Sequence, residues 1–120
     1  MDLVQRASCL SIADMKSYGQ FCPVAQALEL VGDRWSLLII RELVSGSRRF
    51  SEILNGVRRI PRSLLVARLE QLEEAGLVSR GPGAHNGEYR PTKAALALEP
   101  ILMQLGAWSR DWAHRRIRDD

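Results

Sequence analysis

The chain has 120 residues, of which 46% are hydrophobic and 26% are charged, which suits one ordinary domain and is too short for two. No apolar run reaches the roughly 18 residues of a membrane-spanning helix, and the N-terminal residues lack the apolar centre and cleavage site of a signal peptide. We therefore expect a soluble, cytoplasmic protein without a membrane partner.

The net charge of +3 is distributed unevenly along the chain. Between residues 46 and 69, six arginines stand against one acid, Glu52, which gives this segment a charge of +5. Arginine makes bidentate contacts with phosphates and with guanine edges, so the segment is a candidate contact for nucleic acid. A basic surface that only meets solvent would have the same composition. The six are Arg48, Arg49, Arg58, Arg59, Arg62 and Arg68.

In chain order, residues 1–20 show no clear apolar period and are interpreted as an N-terminal arm, a candidate contributor to a dimer. A single domain is expected over residues 21–118. Pro23 begins a first helix that ends before Gly32. Asp33 is expected to cap a second, largely buried helix over residues 34–44. After a short extended piece at residues 47–49, apolar residues at positions 50, 53, 54 and 57 predict a third helix of about two turns.

Residues 60–77 form the helix around which the chain is organised. Pro61 suits its first turn, and Gly76 suits the position just beyond its end. A helical repeat separates a core stripe from a free face near the N-terminus. The stripe contains Leu65, Leu69 and Leu72, and the free face contains Arg62, Ser63, Val66 and Ala67. The third helix, a short turn and this helix have the outline of a helix-turn-helix unit.

Two short strands and a long apolar helix are expected after this unit. Residues 77–80 and 88–90 flank a Gly-rich and Asn-containing segment and predict a hairpin, or wing, on which Arg80, His85 and Arg90 could follow a phosphate backbone. Thr92 is expected to cap a last helical region that Pro100 kinks, or divides into a short piece and a longer one over about residues 99–117. The longer piece is too apolar for a lone surface helix, so a symmetric partner helix or packing within the subunit is expected. Its apolar side contains Ile101, Leu102, Leu105, Trp108 and Trp112.

These motifs resemble those of the HxlR-type winged helix-turn-helix transcription regulators, which are relatives of the MarR-like regulators. The resemblance covers about residues 22–112 and lies in CPVAQALELVGDRW, LLIIRELVSGSRRFSEIL, RSLLVARLEQLEEAGLV, YRPT and LEPILMQLGAW, in that order. It implies a mainly α fold with a small β-hairpin wing that dimerises through its terminal helices. It also implies a homodimer bound to palindromic operator DNA. The chain differs from the family pattern at Pro61 and Ser63, so its base preference cannot be copied from that of its relatives.

The predicted mechanism divides the contacts with double-stranded DNA between two sets of residues. Arg62 and Ser63 are expected to reach base edges, and Val66 and Ala67 to touch thymine methyl groups. The other set holds phosphates and fixes the register of the protein on the duplex. That set is Arg48, Arg49, Arg58, Arg59, Arg80 and Arg90.

Cys22 is a candidate redox sensor, because it precedes Pro23 at a helix N-terminus, where a thiolate is stabilised. The resemblance supports this role, since a cysteine of similar placement senses oxidants or electrophiles in some members of the family. A small buried residue packed beneath the helix is the alternative interpretation. Cys9 is either a resolving partner or incidental.

Other functional classes have weaker support in the sequence. The isolated Cys and His residues predict no metal site, and the absence of a Gly-rich phosphate loop or a nucleophile elbow predicts no enzyme, catalytic residue or cofactor. A small-molecule effector near Trp35 or Trp108 stays open, in a regulator without redox sensing. A winged helix that binds protein instead of DNA is the remaining alternative.

Overall fold

The computed structural model of the chain describes residues 22–80 and 87–113. The predicted arm with Cys9, the hairpin tip with His85 and the residues after Ala113 lie outside these ranges. Residues 22–33 belong to one structural unit, and the described residues from Arg34 onward belong to a second. The predicted limits of the domain, residues 21 and 118, stay a prediction.

The first unit contains helix α1 (Pro23–Val31), which begins and ends where the sequence predicts. Cys22 is its extended N-cap residue, and Pro23 occupies the first turn, where a missing N–H costs no intrahelical hydrogen bond. The backbone N–H of Gly32 donates to the carbonyl of Leu28 at 2.7 Å and closes the last turn.

The second unit is mainly helical and carries one small antiparallel hairpin, which confirms the predicted fold class. Among the described residues, every helix is too short or too polar to cross a lipid bilayer. The elements are α2 (Ser36–Val44), α3 (Phe50–Gly56), α4 (Arg62–Glu74), β1 (Val78–Ser79), β2 (Arg90–Pro91), α5 (Lys93–Leu96) and α6 (Glu99–Trp108), which continues into a π-helical turn (Ser109–Ala113).

Helix α2 lies at the centre of this unit, as predicted, because Ile39, Ile40 and Leu43 are fully buried and the helix contacts α3, β2, α5 and α6. Its predicted start was wrong. The helix begins at Ser36 with Trp35 as its N-cap residue, whereas Asp33 lies in the preceding turn. Ser36, the first residue of the helix, is already buried, so the first turn of α2 packs into the core.

Helix α4 is the predicted long helix, with narrower limits. Pro61 is its N-cap residue instead of part of its first turn. Gly76 has a positive φ of 83°, and the backbone N–H of Leu77 donates to the carbonyl of Leu72 at 2.9 Å. This is the Schellman arrangement, in which glycine adopts the left-handed conformation without strain. The predicted core stripe of Leu65, Leu69 and Leu72 is buried.

The hairpin pairs Val78 with Pro91 and Ser79 with Arg90, so its strands are shorter than predicted and shifted toward Pro91. The backbone N–H of Tyr89 donates to the carbonyl of Arg48 at 2.6 Å, which joins the wing to the segment before α3. Thr92 is the N-cap of α5, as predicted, and its hydroxyl accepts from the N–H of Ala95. The same hydroxyl donates to the carbonyl of Gly76 at 2.7 Å, so it links α5 to the end of α4.

The last helical region is divided in two, as predicted, and its second part begins at Glu99. Pro100 lies in the first turn of α6, where its missing N–H is tolerated, so it begins a helix and does not kink one. The π-helical turn at Ser109–Ala113 was not predicted.

The ends of α2 and α3 meet at Gly56. The Glu42 carboxylate accepts hydrogen bonds from Arg41 and Ser47, and the Arg41 guanidinium also donates to the carbonyl of Gly56 at 3.1 Å. A Cβ atom at Gly56 would overlap the Glu42 carboxylate. Position 56 therefore accepts only glycine while Glu42 keeps these hydrogen bonds.

We predict that Gly56→Ala destabilises the protein by about 1 kcal/mol, because the new methyl group displaces the flexible carboxylate end of Glu42 and disrupts its hydrogen bonds. In a Glu42→Ala background the same substitution should be neutral or stabilising, since alanine favours the helix over glycine. Urea denaturation of the four proteins gives the coupling between the two sites. Equal costs of Gly56→Ala in both backgrounds would contradict this steric explanation.

Candidate nucleic-acid interface

The exposed face of α4 lies opposite its buried leucine stripe. Arg62 and Ser63 are exposed in the first turn, Val66 is 44% exposed, and Ala67 is half-buried. The structure thus brings the four residues predicted to contact bases to the free side of one helix. Their contacts with DNA stay a prediction.

Arg62 also touches the helix before it. Its guanidinium carbon lies 5.3 Å from the centre of the Phe50 ring, which is the range of a cation–π contact. Phe50 is the first residue of α3, and Arg62 is the first residue of α4. The starts of the two helices of the helix-turn-helix pair are therefore adjacent, and Arg49, the exposed N-cap residue of α3, lies next to them in the chain.

The turn between α3 and α4 presents two exposed arginines, Arg58 and Arg59. Arg59 has a φ of 73°, in the left-handed region that glycine occupies at no cost and other residues occupy at a cost of about 1–2 kcal/mol. A long basic side chain is thus held where glycine would be more stable. Such a strained position is consistent with a functional side chain, and the hypothesis for Arg59 is the predicted phosphate contact.

Arg48 differs from the other predicted phosphate contacts. Its side chain is half-buried, and one guanidinium nitrogen donates to the carbonyls of Leu43 and Ser47, both at 2.8 Å. A cation at these positions satisfies carbonyls at the C-terminal end of α2. Together with its backbone bond to Tyr89, this gives Arg48 a structural role that its predicted phosphate contact does not describe.

Glu52 is the single acid of the basic segment and caps the start of α3. Its carboxylate accepts hydrogen bonds from the backbone N–H of Arg48 at 2.8 Å and of Arg49 at 3.1 Å. These two bonds, together with the charges of the same arginines, hold the pKa of Glu52 below its usual value. The acid is therefore a part of the helix start.

The described part of the wing carries Arg80 and Arg90, both exposed. Arg80 lies 4.5 Å from the centre of the Tyr89 ring, and Arg90 forms an ion pair with Glu88 at 3.2 Å. Both are on the hairpin, as predicted. A contact between Arg90 and a phosphate would have to replace or share the Glu88 ion pair.

The C-terminal helix exposes a large apolar surface. Ile101, Leu105 and Trp108 on α6 and Trp112 on the following turn are each about half exposed or more, whereas Leu102 is half-buried. Met103, at 69% exposure, was missed by the sequence analysis, because it lies off the leucine stripe that the helical repeat indicated. On α1, Val24, Leu28 and Leu30 are also exposed.

A cavity of about 510 Å³ lies between α2 and α6. Its lining is mostly apolar and includes two charged residues, Arg41 and Glu99. Trp35 and Trp108, near which a small-molecule site was predicted, are not in its described lining. The apolar lining includes Leu37, Leu38, Val44, Leu102, Met103 and Leu105.

Cys22 has a free thiol and is half-buried at the N-cap of α1. Its backbone carbonyl accepts the first hydrogen bond of the helix, from Gln26 at 3.0 Å. Within residues 22–80 and 87–113, no three His, Cys, Asp or Glu side chains come close enough together to hold a metal ion.

The helix-turn-helix pair and the hairpin after it define a winged helix-turn-helix protein. The chain belongs to the HxlR-like helix-turn-helix family, whose model matches residues 30–117. It is thus a DNA-binding transcriptional regulator of the helix-turn-helix type, and the matches indicate no enzyme family. The resemblance found in the sequence is confirmed.

Three relatives illustrate the match. The chain is 37% identical over 109 residues to the HTH-type transcriptional regulator Rv3095 of Mycobacterium tuberculosis. This match covers 88% of this chain and 68% of the relative. The quinone-bound structure of YodB from Bacillus subtilis is 32% identical with a TM-score of 0.66 and covers 77% of this chain and all of YodB. The structure of the redox regulator HypR in its reduced form is 27% identical with a TM-score of 0.68, and the match covers 81% of this chain and 97% of HypR.

We predict that the stabilising effect of Glu52 depends on pH. Because its folded-state pKa lies below that of the unfolded chain, the contribution is complete above the unfolded pKa, near the ordinary value of 4.5, and is lost as the pH falls through the folded pKa. The Tm difference between wild type and Glu52→Gln should therefore be largest near neutral pH and shrink in acid. A gap that stays constant between pH 7 and pH 3 would contradict the capping role of the charge.

Proposed function

We propose that the protein binds a palindromic operator as a homodimer, with α4 of each subunit in a major groove. The observation that carries this proposal is the exposed face of α4, which presents Arg62, Ser63 and Val66 above a fully buried leucine stripe. Arg62 and Ser63 would reach base edges, and Val66 with Ala67 would touch thymine methyl groups. The buried stripe anchors the helix, so the reading face needs no rearrangement of the core.

The exposed arginines around this helix supply the proposed phosphate contacts. Arg49, Arg58 and Arg59 precede α3 or lie in the turn before α4, and Arg80 and Arg90 lie on the wing. The first turn of α4 contains no acid, so the partial positive charge of its N-terminus adds to theirs. Arg48 would act mainly by holding the wing and the end of α2, with its phosphate contact as a second role. A basic surface of this kind favours DNA over a protein partner.

A second copy of the chain is the proposed cover for the apolar surface of α6. Exposed leucine and tryptophan side chains on one helix are unfavourable in water and typical of an interface. The proposed dimer contacts are Ile101, Leu102, Leu105, Trp108 and Trp112. A dimer would also place two reading helices on the two halves of a palindrome. The residues 1–20 are proposed to contribute to the same interface.

Cys22 is the proposed site at which oxidants or electrophiles regulate DNA binding. Its thiol is free and only half-buried, at the N-cap of α1. The neighbours add support, because YodB was solved with a bound quinone and after diamide treatment, and HypR in reduced and oxidised forms. We propose a cytoplasmic location, which matches a regulator that meets both DNA and a reducing environment.

A small-molecule effector is a second candidate, favoured by the apolar cavity between α2 and α6. Its volume is within the range of sites that bind small organic ligands. Such a regulator would respond to a ligand without any change at Cys22.

For the DNA contacts, we predict that Arg62→Ala costs about 1–3 kcal/mol at one base position of the operator and relaxes specificity there. Arg59→Gly is the matched control, because it removes a charge and also relieves the strained φ. It should weaken binding to all sequences alike. The slope of log affinity against log salt concentration, roughly −5 per head for six phosphates, should become less steep by about 1. Selection from randomised DNA and titrations at several salt concentrations measure both effects. Identical losses on every sequence for the two variants would contradict the division of contacts.

For the dimer, we predict that Leu105→Asp yields monomers and weakens operator binding at least about tenfold, because an unpaired carboxylate in an apolar interface costs more than about 1.4 kcal/mol. Gln104→Asp places the same charge on the neighbouring exposed position and should leave the dimer intact. Light scattering after size exclusion measures the mass. A Leu105→Asp protein with the mass of the wild type would contradict the proposed interface.

For Cys22, we predict that mild diamide treatment converts its thiol to a disulfide and changes operator affinity, while diamide is reduced to the hydrazine. Cys22→Ser should abolish the response. Cys9→Ser distinguishes a bond between two copies of Cys22, which would persist, from a bond between Cys22 and Cys9. Mass spectrometry identifies the linkage. An unmodified Cys22 with unchanged DNA binding after treatment would contradict redox regulation.

A further inference from the structure

The aromatic ring beneath Arg62 has no part in the function described so far. Phe50 is half-buried at the start of α3, and the Arg62 guanidinium lies 5.3 Å from the centre of its ring. The buried core residue of α3 is Ile53, one turn further along the helix. In the sequence, Phe50 belongs only to the apolar period of α3, because a contact between residues 50 and 62 has no local signal.

A guanidinium group offers two different surfaces for interaction. Its planar face attracts the electron-rich face of an aromatic ring, whereas its N–H donors point outward in the plane. Recognition of guanine uses two of these in-plane donors. A guanidinium whose planar face meets the Phe50 ring would therefore keep its in-plane donors available to a base, and both contacts could exist together.

The stack also reduces the freedom of a side chain that must be ordered when DNA binds. Arg62 is exposed in the first turn of α4, where the partial positive charge of the helix end disfavours a cation. An arginine held in one orientation before binding loses less conformational entropy on forming a bidentate contact. The ring thus favours one geometry of a side chain that otherwise samples many.

We propose that Phe50 is a positioning residue that sets base discrimination at the operator position read by Arg62. The proposal rests on the function proposed above, since it needs Arg62 to contact a base. The wing contains a chemically similar pair, Arg80 over Tyr89 at 4.5 Å, whose arginine is proposed to hold a phosphate. Loss of that ring should therefore weaken binding without changing the preferred sequence.

The test begins with selection of the wild-type motif from randomised DNA. Fluorescence anisotropy then gives Kd for the selected site and for sites changed at each position, and the ratio of the two is the discrimination. Phe50→Leu and Phe50→Met remove the ring and keep apolar bulk, and Phe50→Tyr keeps the ring. Each variant is measured alone and with Arg62→Ala, at a temperature where circular dichroism shows it folded. Tyr89→Leu is the control at the wing.

Phe50→Leu or Phe50→Met should lower discrimination at one base position by about two- to fivefold, the range of an exposed cation–π contact. Phe50→Tyr should retain the discrimination of the wild type, because it keeps the ring. In the Arg62→Ala background, loss of the ring should have no further effect at that base position. Tyr89→Leu should weaken all sites alike.

Three results would overturn the inference while the proposed function stands. These are an unchanged motif in both ring-less variants, a loss that is equal at all positions, and a loss of the same size in the Arg62→Ala background. Stronger discrimination after removal of the ring would also overturn it, because the stack would then compete with DNA. A wild-type protein that enriches no motif would instead overturn the proposed function, and the inference with it.

Discussion

The burial of one face of α2 is the constraint on which the rest of the second unit depends. Ile39, Ile40 and Leu43 are fully buried, and the helix that carries them contacts α3, β2 and α6. The scaffold helix of the DNA-binding pair, the wing and the apolar C-terminal helix thus share one support. Loss of such a side chain costs about 2–5 kcal/mol and would loosen all three at once. Hydrogen bonds strengthen the end of α2, where Arg41 donates to the carbonyl of Gly56 in α3, and Arg48 donates to Leu43 of α2 and accepts from Tyr89 of the wing.

The structure divides arginines that composition alone treats as one basic segment. Arg48 satisfies carbonyls at the end of α2, Arg62 lies over an aromatic ring, and Arg59 is exposed in a strained turn. Each has the same charge, but the free energy of bringing it to DNA differs. Arg48 would lose protein hydrogen bonds on reaching for a phosphate, whereas the base contact proposed for Arg62 is compatible with its cation–π contact with Phe50. Net charge therefore overstates how many of these side chains can bind DNA without a cost to the fold.

Much of the architecture could be predicted from the sequence because its signals are local. The buried leucine repeat, Gly76 beyond the end of α4 and the Thr92 cap depend on residues within one or two turns of each other. The predicted start of α2 was wrong, since Trp35 and not Asp33 is its N-cap residue, and a cap signal near a helix does not fix the residue at which the helix begins. The candidate site was less predictable. The Phe50 stack, the carbonyl contacts of Arg48 and the positive φ of Arg59 arise from the turn geometry and tertiary packing, neither of which leaves a periodic pattern.

The cavity between α2 and α6 places the proposed ligand site and the proposed dimer interface on shared residues. Leu102 and Leu105 line this cavity and are also proposed to contact a partner subunit. A ligand that fills the cavity must therefore either be covered by the partner helix or compete with it. The two equilibria are linked. A ligand that binds the dimer more tightly than the monomer strengthens dimerisation, and dimerisation strengthens binding of that ligand by the same factor. A ligand that competes with the partner helix weakens dimerisation in the same reciprocal way. Because α2 also contacts α3 and β2, a change of packing in this cavity acts on the helix that supports both DNA-binding elements.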